Sequence, residues 1–255
     1  MKNILIISIV LSSLAFAKIP TFQRGVRSYD ARATGARGLN VQAGPINATI
    51  KEFKKAYKNP SEELEAGIYL MRCYYYKGKF VTKNDEQKKI IFSEGKTLGE
   101  NLIKKYPNSP GARYWYLVNL GSWAELYGTL AAAKEGVANI MRDHAKKIIA
   151  LDPYYGNGGG YFMLGAVHFK SPYIPFLLSW PSNEKALEYL GKSYNTGQKR
   201  PSQAVYFARA LYKDGKKEDA KALLNLLLKQ PYSESEPVED FEQHEIAREL
   251  LTTWE

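Results

Sequence analysis

The chain of 255 residues is poor in cysteine and histidine, on which many catalytic and metal sites depend. Its single cysteine, Cys73, excludes an internal disulfide, and its position in an apolar helical stretch favours a core residue over a reactive thiol. The three histidines are far apart, without metal-ligand spacing to another histidine, cysteine or acid. No G-x-S-x-G motif is present. We therefore expect a protein that is not an enzyme and that uses no metal or other cofactor.

Long apolar runs are also absent except near the N-terminus. Lys2 precedes the apolar stretch 4–11, and Ala15 and Ala17 fit the small-residue positions that a signal peptidase reads. We predict a signal peptide over residues 1–17, cleavage before Lys18, and a periplasmic or secreted mature protein. The alternative is an uncleaved anchor, but the stretch is too short to span a bilayer comfortably.

The charge is predominantly positive, with a formal net charge of +10. The basic residues are spread along the chain in short groups, such as Lys88 with Lys89 and Lys146 with Lys147. This distribution is typical of solvated helix faces, and together with the predicted export it argues against a nucleic-acid partner. An acidic protein partner and contact with an anionic membrane surface both stay open.

Proline and glycine divide most of the chain into helical segments. Residues 18–44 are rich in arginine and glycine, and we interpret them as a flexible basic leader. Residues 45–255 have a helical pattern in which prolines end successive segments, so we predict an all-α repeat domain. The pattern predicts about ten helices, near 46–58, 61–78, 85–105, 110–127, 129–151, 158–170, 183–196, 202–214, 216–229 and 238–253.

Residues 204–231 carry the clearest internal repeat. Ala204 and Ala208 lie on one face of a first helix, Gly215 makes a turn, and Ala220 and Leu224 line a second helix. This spacing matches a tetratricopeptide repeat (TPR), in which small residues let two antiparallel helices approach. We therefore predict a TPR-like solenoid of antiparallel helix pairs.

A second repeat unit begins at Tyr161 and has about nine additional residues in its turn. The inserted loop, residues 171–181, has three prolines and is otherwise almost wholly apolar. Such a loop should not lie bare in water, so it either folds back into the concavity of the solenoid or contacts a partner or a membrane. We expect it to fold back.

The chain is rich in tyrosine, with 19 residues, several of them in consecutive aromatic positions. Three consecutive rings cover about 200° of a helix, so at least one ring in each triplet should face away from the core. This favours an aromatic-lined concave surface that binds a partner or a ligand. The candidate lining residues are Tyr116, Asn119, Trp123, Tyr161, His168, Phe176 and Trp180.

Five stretches in the order 114–121, 150–155, 159–165, 180–190 and 237–251 carry a family resemblance. Together they make the region from Tyr114 to Leu251 resemble the tetratricopeptide-like T component of TRAP transporter systems, the TatT-like family of bacterial periplasmic proteins. The resemblance implies a helical protein with an internal groove. It also implies partnership with a periplasmic solute-binding protein, and an apolar or organic-acid ligand.

The sequence supports two main hypotheses of function. In the first, an exported repeat protein holds a transport partner or an apolar solute in an aromatic concavity closed by the 171–181 loop. In the second, the protein is a scaffold in cell-envelope assembly that binds only other proteins. A hydrolase with an unrecognised site is a third reading, for which the sequence offers no acid–histidine pair.

Overall fold

The computed structural model describes residues 20–174, 176 and 178–254. The predicted signal peptide over residues 1–17 and the cleavage before Lys18 lie outside these residues. Within the described ranges the fold is all-α, with twelve α-helices, one π-helical turn and isolated β-bridges in place of strands. None of these helices combines the length and the apolar character needed to cross a bilayer.

The predicted helices agree with the observed ones in order, with two differences. The predicted helix over 129–151 is two helices, because Gly136 between them has a left-handed φ of 66°. An additional helix lies before residue 43. The elements are α1 (Thr21–Asp30), α2 (Ala43–Ala56), α3 (Glu63–Tyr76), a π-helical turn (Lys77–Val81), α4 (Asp85–Lys105), α5 (Pro110–Tyr127), α6 (Thr129–Lys134), α7 (Val137–Leu151), α8 (Gly159–Lys170), α9 (Asn183–Tyr194), α10 (Pro201–Lys213), α11 (Lys217–Leu228) and α12 (Pro237–Thr253).

Capping residues define where several helices begin. The Ser109 hydroxyl accepts the backbone N–H of Ala112 at 3.1 Å, at the start of α5. The Ser182 hydroxyl likewise accepts the N–H of Lys185 at 3.1 Å, at the start of α9. Proline occupies the start of α5, α10 and α12, where its missing N–H removes no helical hydrogen bond.

The helices pack as successive pairs: α1 with α2, α3 with α4, α5 with α7, α8 with α9, and α10 with α11. Gly165 allows one such pair to approach, because a Cβ at this position would lie 2.6 Å from Cγ of Leu190. The first helices of neighbouring pairs also touch, α3 with α5, α5 with α8, and α8 with α10. These four helices therefore form one continuous surface, which we call the inner face.

Residues 20–42 are part of the folded domain, so the prediction of a flexible basic leader over 18–44 is wrong for them. Helix α1 packs along α2, and Tyr29 and Arg32 are only 4% and 2% exposed. At Gly25 a Cβ would lie 2.6 Å from the Phe53 ring. Phe22, Val26 and Tyr29 recur at helical spacing and pack in the N-terminal core, but this pattern is short and lies among arginines and glycines, so the helix was not predicted from the sequence.

Helix α12 contacts both ends of the repeat array. Val238, near its start, is 2% exposed and packs in the N-terminal core cluster with Phe53 and Tyr76. Ala247, further along, is fully buried in the C-terminal cluster with Leu224 of α11. The last helix therefore joins the first repeats to the last ones.

Candidate functional site

Partly buried aromatic rings connect neighbouring first helices along the inner face. Tyr75 of α3 meets Trp115 of α5 with ring centroids 6.2 Å apart. Tyr206 of α10 meets Phe162 and Phe169 of α8 at 5.1 and 6.3 Å. None of the five is fully buried, so each ring both packs against its neighbour and keeps a surface for a partner. We call these five residues the inner aromatic row.

Four cations lie over rings of this row. Lys79 Nζ is 6.0 Å from the Tyr75 centroid, and Lys170 Nζ is 5.5 Å from that of Tyr206. Arg209 and Lys213 lie 5.4 and 5.5 Å from the centroid of Phe169. Cation–π contacts at exposed sites contribute only about 0.5–1 kcal/mol and do not neutralise the charge of the cation. We call Lys79, Lys170, Arg209 and Lys213 the inner cations.

Carboxylates neutralise only part of this charge. Lys170 pairs with Glu125 of α5, and Lys79 pairs with Glu242 of α12 at 3.1 Å. Among the described residues, Arg209 and Lys213 form no ion pair with an acid. The inner face is therefore aromatic and positively charged.

Three acids at the start of α12, one at its N-cap and two within it, show how such cations hold carboxylates. Glu236 pairs with Arg200 at 2.7 Å, and Glu239 pairs with Arg32 at 2.8 Å. Glu242 supplies the contact with Lys79. Although burial alone would lower the pKa of Lys79, Tyr75 and Glu242 hold it above its ordinary value. The three cations come from separate parts of the chain and meet only on this helix.

Arg72 extends the aromatic and cationic surface towards α1. Its Cζ lies 4.6 Å from the ring centroids of both Tyr29 and Tyr69, and 5.2 Å from that of Trp115. Its Nε is buried without a hydrogen-bond partner among the described residues. Burial would lower the pKa of Arg72, but the neighbouring Tyr29 and Tyr69 hold it above its ordinary value. Arg72 is thus a charged side chain held mainly by rings.

Three of the predicted lining residues lie in the core instead of on an open surface. Tyr116 and Trp123 of α5 are 4% and 8% exposed. Asn119 is fully buried and its Nδ2 donates to the backbone oxygens of Met71 at 3.1 Å and Trp115 at 2.8 Å. These side chains fill the contacts of α5 with its neighbours, which is the structural role that consecutive rings on a helix usually have.

His168 and Trp180 are the two predicted residues that the structure brings together. Their ring centroids are 4.8 Å apart in an edge-to-face arrangement, and His168 Nδ1 accepts the backbone N–H of Ser182 at 3.3 Å. Trp180 Nε1 donates to Asn139 Oδ1 at 2.9 Å. Burial, followed by nearby lysines, lowers the pKa of His168 to about 4, so the ring is neutral at ordinary pH. The pair anchors the base of the 171–181 loop.

Phe176 lies at the tip of this loop and is fully exposed, with a relative exposure of 106%. The expectation that the loop folds back is therefore wrong at the tip, although Leu178 is 6% exposed and Trp180 packs onto the helices. Tyr161, on α8, is partly buried. The seven predicted lining residues thus lie in different places and do not surround one cavity.

The inner cations and Arg72 are functional candidates that were not predicted from the sequence. Part of this surface could have been predicted within α10. Tyr206, Arg209 and Lys213 are spaced by three and four residues, which places a ring and two cations on one helical face. The contact of these side chains with Phe169 on another helix has no local signal. Among the described residues, no group of three or more histidines, cysteines and acids could hold a metal ion.

Comparisons with known proteins agree with the fold and identify the family. A thermophilic TPR protein of Thermus thermophilus, known from a crystal structure, matches with a TM-score of 0.59 and 14% sequence identity, over 92% of this chain and 96% of that chain. This similarity confirms the TPR-like helical-repeat fold, but not the T component of TRAP systems. No curated protein matches by sequence. The family model of the regulators of microtubule dynamics, proteins 1-3, matches residues 40–255, and the chain belongs to this family.

Proposed function

We propose that the protein is a non-catalytic repeat protein that binds an acidic, partly apolar segment of another protein along its inner face. The observation that carries this proposal is the inner aromatic row with the inner cations over its rings. Helical repeats form extended surfaces from side chains of successive units, and such surfaces suit elongated partners. Rings provide contact area at low entropic cost, while cations select acidic side chains.

Helix α12 supports the acidic character of the partner. Glu236 at its N-cap, and Glu239 and Glu242 within it, each contact a cation from a different part of the chain, at 2.7–3.1 Å. Arg209 and Lys213 lie further along the inner face, where they pair with no acid among the described residues. A partner segment that presents carboxylates at helical spacing would pair with Arg209 and Lys213, in the way that the acids of α12 pair with their cations.

The proposal also includes where the protein works and which partner it binds. The N-terminal sequence supports export, with signal cleavage before Lys18. The resemblance to the T component of TRAP systems supports a periplasmic solute-binding or transport protein as the partner. An apolar or organic-acid solute held between the rings is an alternative ligand. A scaffold that binds only proteins in envelope assembly is the other alternative.

A microtubule is a second candidate partner, because the family is named for regulators of microtubule dynamics. The net charge of +10 suits a polymer with an acidic surface. Co-sedimentation of the purified protein with microtubules tests this candidate. Binding that depends on the inner cations would support it, and an unchanged supernatant fraction would contradict it.

The main test is affinity capture from an envelope extract, followed by direct binding of the captured partner. The variant Arg209→Gln with Lys213→Gln removes two inner cations, and Lys51→Gln with Lys104→Gln removes the same charge elsewhere. Both control lysines are exposed. We expect the inner-face variant to weaken binding by about tenfold, since each lost charge-assisted contact contributes about 0.5–1 kcal/mol or more. The control variant should bind as the wild type does.

The outcomes separate the proposal from its alternatives. Equal loss in both double variants would indicate non-specific attraction between charges, and it would contradict a binding site on the inner face. Tyr206→Ala adds a second test, because it removes a ring without changing the charge. If Tyr206→Ala and the inner-face variant both retain the partner, the inner face is not the binding surface.

A further inference from the structure

The loop between α8 and α9 exposes two of its aromatic residues to water. Phe176 is fully exposed and Tyr173 is 63% exposed. Phe176 also has a φ of 65°, in the left-handed region that costs a residue with a side chain about 1–2 kcal/mol. An exposed ring on a strained backbone gains nothing from packing within the chain.

The base of the loop holds this tip in place. Ile174 and Leu178 exchange two backbone hydrogen bonds of 2.9 and 2.7 Å, so these two residues, on either side of Phe176, are held together. Leu178 is buried, and Trp180 is fixed by its hydrogen bond to Asn139 of α7. The exposed ring is therefore presented by an anchored hairpin.

Cations surround the base of the hairpin. Arg142 Cζ lies 4.8 Å from the centroid of the Trp180 ring. Lys146 and Lys185 are close enough to contribute, after burial, to the lowered pKa of His168. Arg142 and Lys185 each pair with an acid, Asp143 and Glu188, whereas Lys146 forms no ion pair among the described residues. The region is thus apolar at its tip and slightly positive at its base.

We infer that this hairpin docks the protein on a lipid surface, with Phe176 inserted at the boundary of headgroups and acyl chains and the basal cations near anionic headgroups. This inference goes beyond the proposed function, because the hairpin rests on Asn139 of α7 and His168 of α8 and not on the residues of the inner aromatic row. The two surfaces leave the protein free to hold a partner while it contacts a membrane.

The size of the hairpin favours a lipid surface over a protein partner. Stable protein interfaces bury about 800 Å² on each side, which is far more than a tip of a few residues presents. Peripheral membrane binding requires only a small inserted apolar area combined with attraction to anionic lipid. A projecting tip also suits a soft lipid surface, whereas a protein partner would need a matching pocket.

Sedimentation with vesicles tests the inference on the full-length purified protein. We expect binding to vesicles of phosphatidylcholine mixed with phosphatidylglycerol, and weaker binding to vesicles of phosphatidylcholine alone. Phe176→Ser should lower the partition coefficient by at least about tenfold, because it removes most of the inserted apolar area. The control Ile90→Ser removes another large exposed apolar side chain, 61% exposed on α4, and should leave binding unchanged.

The charge at the base has its own test. Lys146→Gln should weaken binding to the anionic vesicles by about fivefold, since one lysine near such a surface contributes about 1 kcal/mol. Lys51→Gln, which changes the charge by the same amount on α2, should bind as the wild type does. Equal effects of the two variants would show attraction by overall charge and would overturn the docking geometry.

A fluorescent label reports insertion directly. Cys73 is fully buried, and burial raises the pKa of its thiol, so a maleimide dye attaches to the introduced thiol of the Phe176→Cys variant. We expect a blue shift of an environment-sensitive dye when anionic vesicles are added, and none for the same dye on Ile90→Cys. An unshifted emission at position 176 would overturn the inference. So would a shift produced only by a protein from the extract, which would identify a protein occupant.

Discussion

At the scale of single residues, the buried amide of Asn119 shows how closely the helices approach. Its Nδ2 joins α5 to the backbone of α3, and its Oδ1 faces α4. At Gly95 of α4, a Cβ would lie 2.2 Å from this oxygen and 2.4 Å from Cγ. The asparagine was predicted to bind a ligand, but its surroundings show that it fixes three helices.

Gly95→Ala should therefore destabilise the protein. The added methyl group must displace a buried, hydrogen-bonded side chain, and we expect a loss of about 1–3 kcal/mol in the free energy of unfolding. Gly44→Ala is the matched control, because a Cβ at Gly44 of α2 meets nothing within 4 Å. Urea denaturation of both variants measures the difference. If Gly95→Ala lowers the free energy of unfolding no more than Gly44→Ala does, α4 and α5 can separate easily.

His168 makes the stability depend on pH. Its pKa falls from an ordinary value of 6.5 to about 4 on folding, so the unfolded chain takes up a proton first as the pH falls. The contribution of the neutral His168 ring to the free energy of unfolding is fully present above pH 6.5. It is lost as the pH falls from 6.5 to 4. Between pH 7 and pH 4.5, the wild type should lose about 2 kcal/mol more than His168→Gln. Parallel unfolding curves against pH would contradict this assignment.

At the scale of elements, Arg32 connects α1 to α12. Its guanidinium lies 4.2 Å from the centroid of the Tyr29 ring and donates to Glu239 at 2.8 Å. Burial raises the pKa of Glu239 despite this arginine, which shows that the carboxylate depends on its partner for charge compensation. The end of α1 is thus attached to a helix more than 200 positions away.

Arg32→Met should lower the free energy of unfolding by about 3 kcal/mol, because it leaves a buried carboxylate uncompensated. Adding Glu239→Gln should recover part of the loss, since the amide carries no charge. Arg27→Met is the control on the same helix, because Arg27 is exposed. If the double variant is no more stable than Arg32→Met, the two residues are not coupled.

Sequence patterns could predict most of these elements but not their long-range contacts. Helices such as α4 and α5 were predicted with their observed bounds, because prolines and capping residues mark their ends locally. Helix α1 was missed because it is short and because arginines and glycines surround its few apolar residues. The candidate site was predicted as an aromatic surface, but the particular rings depend on which helices meet. Tyr206 and Phe169, for instance, are 37 positions apart and pair only in the folded chain.

At the scale of the whole molecule, α12 couples the two ends of the array. Repeat proteins contact mainly their neighbours, so their ends can unfold separately. Here Val238 of the last helix packs among residues of α2 and α3. The two ends should therefore open together.

Val238→Ala tests this coupling. We expect a loss of about 1–2 kcal/mol, and faster hydrogen exchange in α2 and α3 as well as in α11. Leu224→Ala, in the C-terminal cluster, serves as the comparison. If Val238→Ala changes exchange only within α12, the ends are independent.

The contact of α12 with Arg32 also limits how this protein can change its length during evolution. An open array gains or loses a repeat without altering the distant units. Here an inserted unit would move Glu239 and Glu242 away from Arg32 and Lys79 at the other end of the chain. A viable duplication would need a compensating change in curvature, so the number of repeats is tied to the geometry that lets the first and last units meet.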